Sequence, residues 1–227
     1  MNKTYHKMCI WSGMVFLVLL GLGLWISAGF LPPLLPSADA ETIAQIYRQN
    51  TFGIRLGAFL SIAGSAFFFP LIAVISVHMF RIEGRYPVMS VLQAISGTCA
   101  SMLFFFPCLV WTVIAFRPER DPALMYLLND FSWIWFVIPF SPAMIQNLAI
   151  GFAILGDKRD QPLFPRWSGF LNIWVGLLFI PGGVAGFFKT GPFAWNGLLS
   201  FWLGVTVFTI WIIVMIPLLL KAVERDD

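Results

Sequence analysis

A chain of 227 residues in which 59% are hydrophobic and only 11% charged cannot cover a water-facing surface, because soluble domains carry roughly 25% charged residues. A bilayer crossing needs about 20 mostly apolar residues, so the length accommodates six crossings with short loops and no separate soluble domain. The formal charge of +3 is small and its basic residues stand at segment ends, which suits lipid head groups and argues against a nucleic-acid partner.

Six apolar runs follow in order, at about 9–31, 53–80, 88–116, 129–155, 167–188 and 196–220. Each predicts a helix, which satisfies its own backbone in lipid. A β-barrel is disfavoured because its strands alternate polar and apolar, whereas Leu17-Val18-Leu19-Leu20 is apolar on every side. The expected fold is all-α, one polytopic transmembrane helix bundle spanning residues 1–227. The first run follows Lys3 and Lys7, and Ala38-Asp39-Ala40 resembles a leader cleavage site. The run is longer than the roughly 7–15 apolar residues of a leader, so it is read as a true span.

The first connection, residues 32–52, is the longest. Pro32, Pro33 and Pro36 bar a helix there. Ser37 or Asp39 can then cap an amphipathic stretch over Glu41–Asn50, whose Ile43, Ile46 and Tyr47 share a face. Later connections are short. Lys and Arg divide nine to five between alternate sides, accounting for the 14 present. The richer side holds Lys3, Lys7, Arg81, Arg85, Lys158, Arg159, Arg166, Lys221 and Arg225. The positive-inside tendency therefore places both termini in the cytoplasm.

Proline recurs inside the runs, as Phe67-Phe68-Phe69-Pro70, Phe104-Phe105-Phe106-Pro107, Val137-Ile138-Pro139, Phe179-Ile180-Pro181 and Met215-Ile216-Pro217. Each removes a backbone donor and tends to kink its helix, leaving room for a cavity or hinge. The other reading is that proline is simply common in membrane helices. Small residues at Gly57, Ser61 and Ser65, at Gly97 and Ser101, and at Gly182, Gly183 and Gly186 suggest close helix packing.

Ionisable groups inside a bilayer are costly and point to function. Arg55 and Asp130 fall at similar depth near the non-cytoplasmic side. An ion pair between them is one reading; separate snorkelling and ligand binding are the others. Arg117, Asn129, Trp133, Lys189, Trp195 and Asn196 gather at the same level. Together with Arg55 and Asp130 they form the candidate binding rim. Gln146, Asn147 and Asn172 lie deeper, as interhelical bonds or cavity lining.

Cys9, Cys99 and Cys108 make no C-x-x-C pair, and His6 and His78 are too few and too near the ends for a metal or haem centre. No metal, cofactor or catalytic residue is expected, and the sequence leans away from an enzyme.

Several stretches carry a family resemblance: Phe116-Arg117-Pro118-Glu119-Arg120, Leu128-Asn129-Asp130, Asp157-Lys158-Arg159 with Phe164-Pro165-Arg166-Trp167, and Phe188 through Gly197. They resemble a family of bacterial integral membrane proteins of about this length that has no established activity. The resemblance covers most of the chain and implies a bacterial cytoplasmic (inner) membrane, with nothing catalytic to carry over. The leading expectation is a bundle that binds or passes a small apolar or amphipathic molecule, lipid or sterol-like. Its partners would be membrane lipids and that ligand. The alternatives are an accessory subunit docking against a membrane-protein partner, and a membrane-embedded enzyme using Asp130.

Overall fold

The computed structural model describes residues 2–225. Asn2 caps α1 (Lys3–Gly21) by accepting the Thr4 and Tyr5 amides, and the helix runs on as a π segment, Leu22–Ser27. The amphipathic stretch forms α2 (Ala40–Gln49), capped by Asp39, whose carboxylate accepts the Thr42 amide at 2.8 Å. The remaining helices are α3 (Thr51–Ser65), α4 (Phe68–Glu83), α5 (Val88–Phe116), α6 (Pro122–Val137), α7 (Ser141–Gly156), α8 (Arg166–Leu178) and α9 (Leu203–Glu224). A 3-10 helix, Ile180–Phe187, continues α8, and a π segment, Leu198–Trp202, precedes α9.

These elements join into six helical stretches long and apolar enough to cross a membrane: Lys3–Ser27, Thr51–Glu83, Val88–Phe116, Pro122–Gly156, Arg166–Phe187 and Leu198–Glu224. The fold is the expected all-helical bundle with six spans. Large apolar side chains such as Ile26, Phe59, Phe170, Trp174 and Phe187 face outward, as a hydrocarbon solvent permits.

Two expected starts move. The first helix begins at Lys3, not residue 9, because Asn2 supplies a cap. The fourth span begins at Pro122, not residue 129, because Asp121 caps α6 and proline suits a first helical position.

The long α5 is central and packs against α3, α4, α6 and α7, while α1 packs against α3, α4 and α9. Two apolar cores stack along the bundle. One lies toward the face holding the chain ends, the terminal face, around Phe16, Phe68, Trp211 and Leu219. The other lies toward the face covered by α2, around Phe30, Tyr47, Trp111, Trp133 and Trp195.

Proline acts unevenly. Pro107 sits inside an unbroken α5. The fourth span breaks at 138–140 around Pro139, and the fifth tightens into the 3-10 helix where Pro181 is followed by Gly182 and Gly183, residues that form poor α-helix. The second span breaks at 66–67, upstream of Pro70.

Candidate functional site

The breaks in the fourth and fifth spans and the π segment of the sixth fall against one another and leave a cavity of about 90 Å³. Six phenylalanines wall it, Phe104, Phe136, Phe140, Phe179, Phe201 and Phe208, and the small residues Ala100, Ala143, Gly182 and Gly204 make the space. Pro139 lines it directly. Among the lining residues Ser200 is the polar one. Its hydroxyl lies 3.0 Å from the Pro181 carbonyl and 2.9 Å from that of Phe193, both acceptors. The wall therefore offers apolar contact surface and no acid–base pair.

The cavity belongs to a longer aromatic column. Phe104 stacks on Phe208 at 5.3 Å and Phe208 on Trp211 at 5.9 Å, toward the terminal face. Toward α2, Phe136 meets Trp111 at 6.0 Å and Trp133 at 6.1 Å. Trp111 and Trp133 lie 5.1 Å apart, with Phe30 5.0 and 5.8 Å from them. Such edge and offset contacts are favourable beyond the area they bury.

The expected rim separates into ties and one open group. Arg55 does not pair with Asp130, which corrects the expected ion pair. Its Nε and Nη2 donate to the Ala115 carbonyl at 2.9 and 2.7 Å, and Nη2 also to Phe116 at 3.0 Å. The carbonyls at a helix C-terminus have no partner within the helix, and a cation there also suits the helix dipole. The end of α5 thus claims the guanidinium. Arg120 Nη1 donates to Val113 at the same helix end, at 3.0 Å, and Arg117 is exposed just past it.

Asn129 is buried and accepts the Tyr47 hydroxyl at 3.1 Å, fastening α2 to α6. Burial pushes the Tyr47 phenol well above its ordinary range. Trp133 is buried in the column and Trp195 donates to the Leu34 carbonyl at 2.8 Å, pinning the segment that leads into α2. Asn196 is half-buried in the turn before Gly197. Asp130 is half-buried, and its Oδ1 is buried without a hydrogen-bond partner. Lys189 is exposed just past the 3-10 helix.

The deeper amides lie between helices and off the cavity wall. Asn172 donates to Ser168 O at 2.7 Å and accepts Trp211 Nε1 at 2.8 Å, joining α8 to α9. Asn147 donates to Ala143 O at 2.9 Å in its own helix. Gln146 lies over Gly97, where a β-carbon would approach its Nε2 to 2.7 Å.

Sequence reasoning missed the phenylalanine wall, whose signal was the recurrence of Phe beside Pro. It also left His6 outside the first run, which was expected to start at residue 9. The early start of α1 instead sets its ring 5.4 Å from that of His78, edge to face, with His78 Nδ1 3.1 Å from Arg81 Nη1. Among the described residues no three His, Cys, Asp or Glu side chains gather as a metal site.

Six apolar spans around an aromatic column and a mid-bundle cavity define a multi-pass helical membrane protein. No family model, curated protein or solved structure matches the chain.

Proposed function

We propose that this protein resides in a bacterial cytoplasmic membrane with both termini inside, and holds the end of one acyl chain of a lipid in the phenylalanine-walled cavity. The orientation rests on the nine-to-five distribution of Lys and Arg, and the membrane on the family resemblance. A C-terminal reporter active only in the periplasm would overturn the orientation.

The observation carrying the ligand reading is the cavity itself. It lies where two spans are broken and a third is unwound, so the helices leave unfilled an apolar space that straight helices would close. Close packing is the rule in protein interiors, and an apolar wall with one engaged hydroxyl fits hydrocarbon. The volume is below the roughly 150 Å³ of an apolar cavity that holds benzene. It suits the end of a chain better than a sterol nucleus.

Gly204 supplies the test. Gly204 lines the cavity and a β-carbon there would meet only Phe179, at 3.9 Å, an ordinary contact, so a larger side chain at this position takes up cavity space. Wild-type protein released from mild detergent into a native mass spectrometer should carry a lipid. Gly204→Leu should lose it while remaining folded. Equal lipid retention by the two proteins would rule the cavity out as the site.

A further inference from the structure

We propose that the half of the bundle nearer the terminal face binds internal water, held between the side-chain amides of Gln93 on α5 and Gln146 on α7, at the inner end of a hydrogen-bonded file that starts at Glu83. The inference is independent of the acyl-chain reading and uses other residues.

Glu83 opens the file. Half-buried at the end of α4, it accepts the Met89 and Ser90 amides at 2.8 and 2.7 Å and also the Ser90 hydroxyl. These amides belong to the first turn of α5, which has no partner for them within the helix. Ser76, farther back on α4, donates to the Ser90 carbonyl at 3.1 Å and to Gln93 Oε1. Ser90 and Gln93 are both fully buried. A polar run thus leads from the bundle end to the Gln93 amide along the seam between α4 and α5.

The next turn of the same seam brings in α7. Gly97 follows Gln93 by one turn on α5, and Ile72 precedes Ser76 by one turn on α4. A β-carbon on Gly97 would lie 3.2 Å from Ile72 Cγ1 and 2.7 Å from Gln146 Nε2. The missing side chain of Gly97 therefore lets the Gln146 carboxamide lie against α5, about 6 Å along the helix from the level of Gln93. One turn farther still, Ala100 of α5 and Ala143 of α7 line the phenylalanine-walled cavity. The third span has 29 residues and its middle is Met102, so the roughly 20 residues that fill the hydrocarbon begin at about residue 92. Gln93 stands at that edge, and Gln146 lies one turn inside it, where lipid cannot solvate an amide.

Hydrogen bonding then selects the guest. Gln93 Nε2 and Gln146 Nε2 are buried without a hydrogen-bond partner, in residues that are 0% and 1% exposed. A buried amide left so is costly, and such groups are ordinarily met by protein or by ordered water. Both unmet atoms are donors and cannot serve one another, and Gln93 Oε1 is already taken by Ser76. They call for an acceptor with more than one lone pair. Water has two, is small enough for a packed seam, and passes its own protons to neighbouring oxygens. An anion at this depth would have no cation among the residues of the seam. A lipid carbonyl would need an opening between α5 and α7, and the contact of Gln146 with Gly97 closes it.

The experiment places the full chain, isotope-labelled at the side-chain nitrogens of Asn and Gln, in phospholipid bilayers. Solid-state NMR then measures magnetisation transfer from water to each amide, with the resonances assigned by single substitutions. The exposed Gln45, Gln49 and Gln161 mark full transfer. Asn172 marks a dry amide, since it is buried and its nitrogen is engaged by Ser168 O and the Met215 sulfur. Gln93 and Gln146 should receive severalfold more than Asn172. In Gln146→Leu, whose lost amide nitrogen has no partner to leave behind, transfer to Gln93 should fall severalfold. Transfer to both amides as low as to Asn172, the result expected if they bond each other directly, overturns the proposal. Transfer to Gln93 that is unchanged in Gln146→Leu overturns the bridge between them.

Discussion

Replacing Arg55 tests how the α2 face is held together. In Arg55→Ala the Ala115 and Phe116 carbonyls lose a charged donor that makes three contacts of 2.7 to 3.0 Å. The guanidinium also lies 5.9 Å from the centre of the Phe116 ring. A hydrogen bond to a charged group contributes about 1.5–3 kcal/mol when buried, and exposure of the side chain reduces this to about 1–2 kcal/mol in all. For a chain of this size the midpoint of thermal unfolding should fall by about 2–6 °C. Arg55→Lys should recover only part, since an ammonium lacks the fork that spans two carbonyls. The informative comparison is with Asp130. Because the two residues share no contact, the losses in Arg55→Ala and Asp130→Ala should add in the double variant to within about 0.5 kcal/mol. Thermal unfolding in one detergent, followed by circular dichroism, measures all four proteins. A coupling above about 1 kcal/mol would mean that the two charges meet, and the assignment of Arg55 to the end of α5 would be refuted.

Two further perturbations probe packing and charge elsewhere. A β-carbon on Gly57 would fall inside contact distance of the Gly23 carbonyl, and one on Gly23 within 2.6 Å of the Gly57 carbonyl, whereas one on Gly21 meets nothing within 4 Å. Gly57→Ala should therefore force the π segment Leu22–Ser27 from α3 and cost about 1–3 kcal/mol, while Gly21→Ala should be neutral or mildly stabilising; equal unfolding midpoints for the two would contradict this crossing. Asp157 lies just past α7 and accepts Arg159 Nε and Nη2 at 2.9 and 2.7 Å and the Leu163 amide at 2.9 Å. Burial alone would raise its pKa, but these donors outweigh it and hold the carboxyl below its ordinary range. A depressed folded-state pKa gives stability that is present above the unfolded value of about 3.9 and is lost as pH falls through the folded value. Unfolding midpoints from pH 6 to pH 3 should fall more steeply for wild type than for Asp157→Asn, and parallel curves would show that the cluster contributes nothing.

What the sequence made legible follows from what a linear pattern can encode. The third span reads as 88–116 and folds as Val88–Phe116 because its apolar run is bounded by Pro87 and by Arg117-Pro118. The start of α6 was overlooked although Asp121-Pro122 is a cap and first-turn pair, because hydropathy weighs the run and not its punctuation. Hydropathy set Arg55 and Asp130 just inside the expected starts of their spans, whereas the fourth span begins earlier, at Pro122, and carries Asp130 eight residues past its start. Direction around the helix was not legible, and direction decides that Arg55 meets the end of α5. The prolines announced breaks at 139 and 181. The cavity between those breaks could not be read, since its wall is assembled from α5, α6, α7, α9 and the residues around both breaks.

The distribution of polar ties separates the fastened ends of the bundle from its apolar middle. At the terminal face Arg81 donates to Ala222 O at 2.8 Å and Arg225 O at 2.7 Å, and Glu83 accepts the Met89 and Ser90 amides at 2.8 and 2.7 Å. At the other face Arg48 Nε donates to Pro118 O at 2.9 Å, beside the Arg55, Arg120 and Trp195 ties. Both ends thus satisfy helix-terminal groups that lipid cannot solvate. Between them the cavity wall is apolar apart from Ser200, whose hydroxyl is already engaged, and it is surrounded by a solvent that is itself hydrocarbon. Moving an acyl chain from lipid into such a wall gains no hydrophobic free energy, because lipid tails are already apolar. The gain is limited to closer dispersion contacts with a wall that otherwise faces empty space, and these are nearly the same for every chain of similar shape. A wall of this kind retains lipids without distinguishing them. Discrimination among lipids therefore cannot arise from the cavity wall itself.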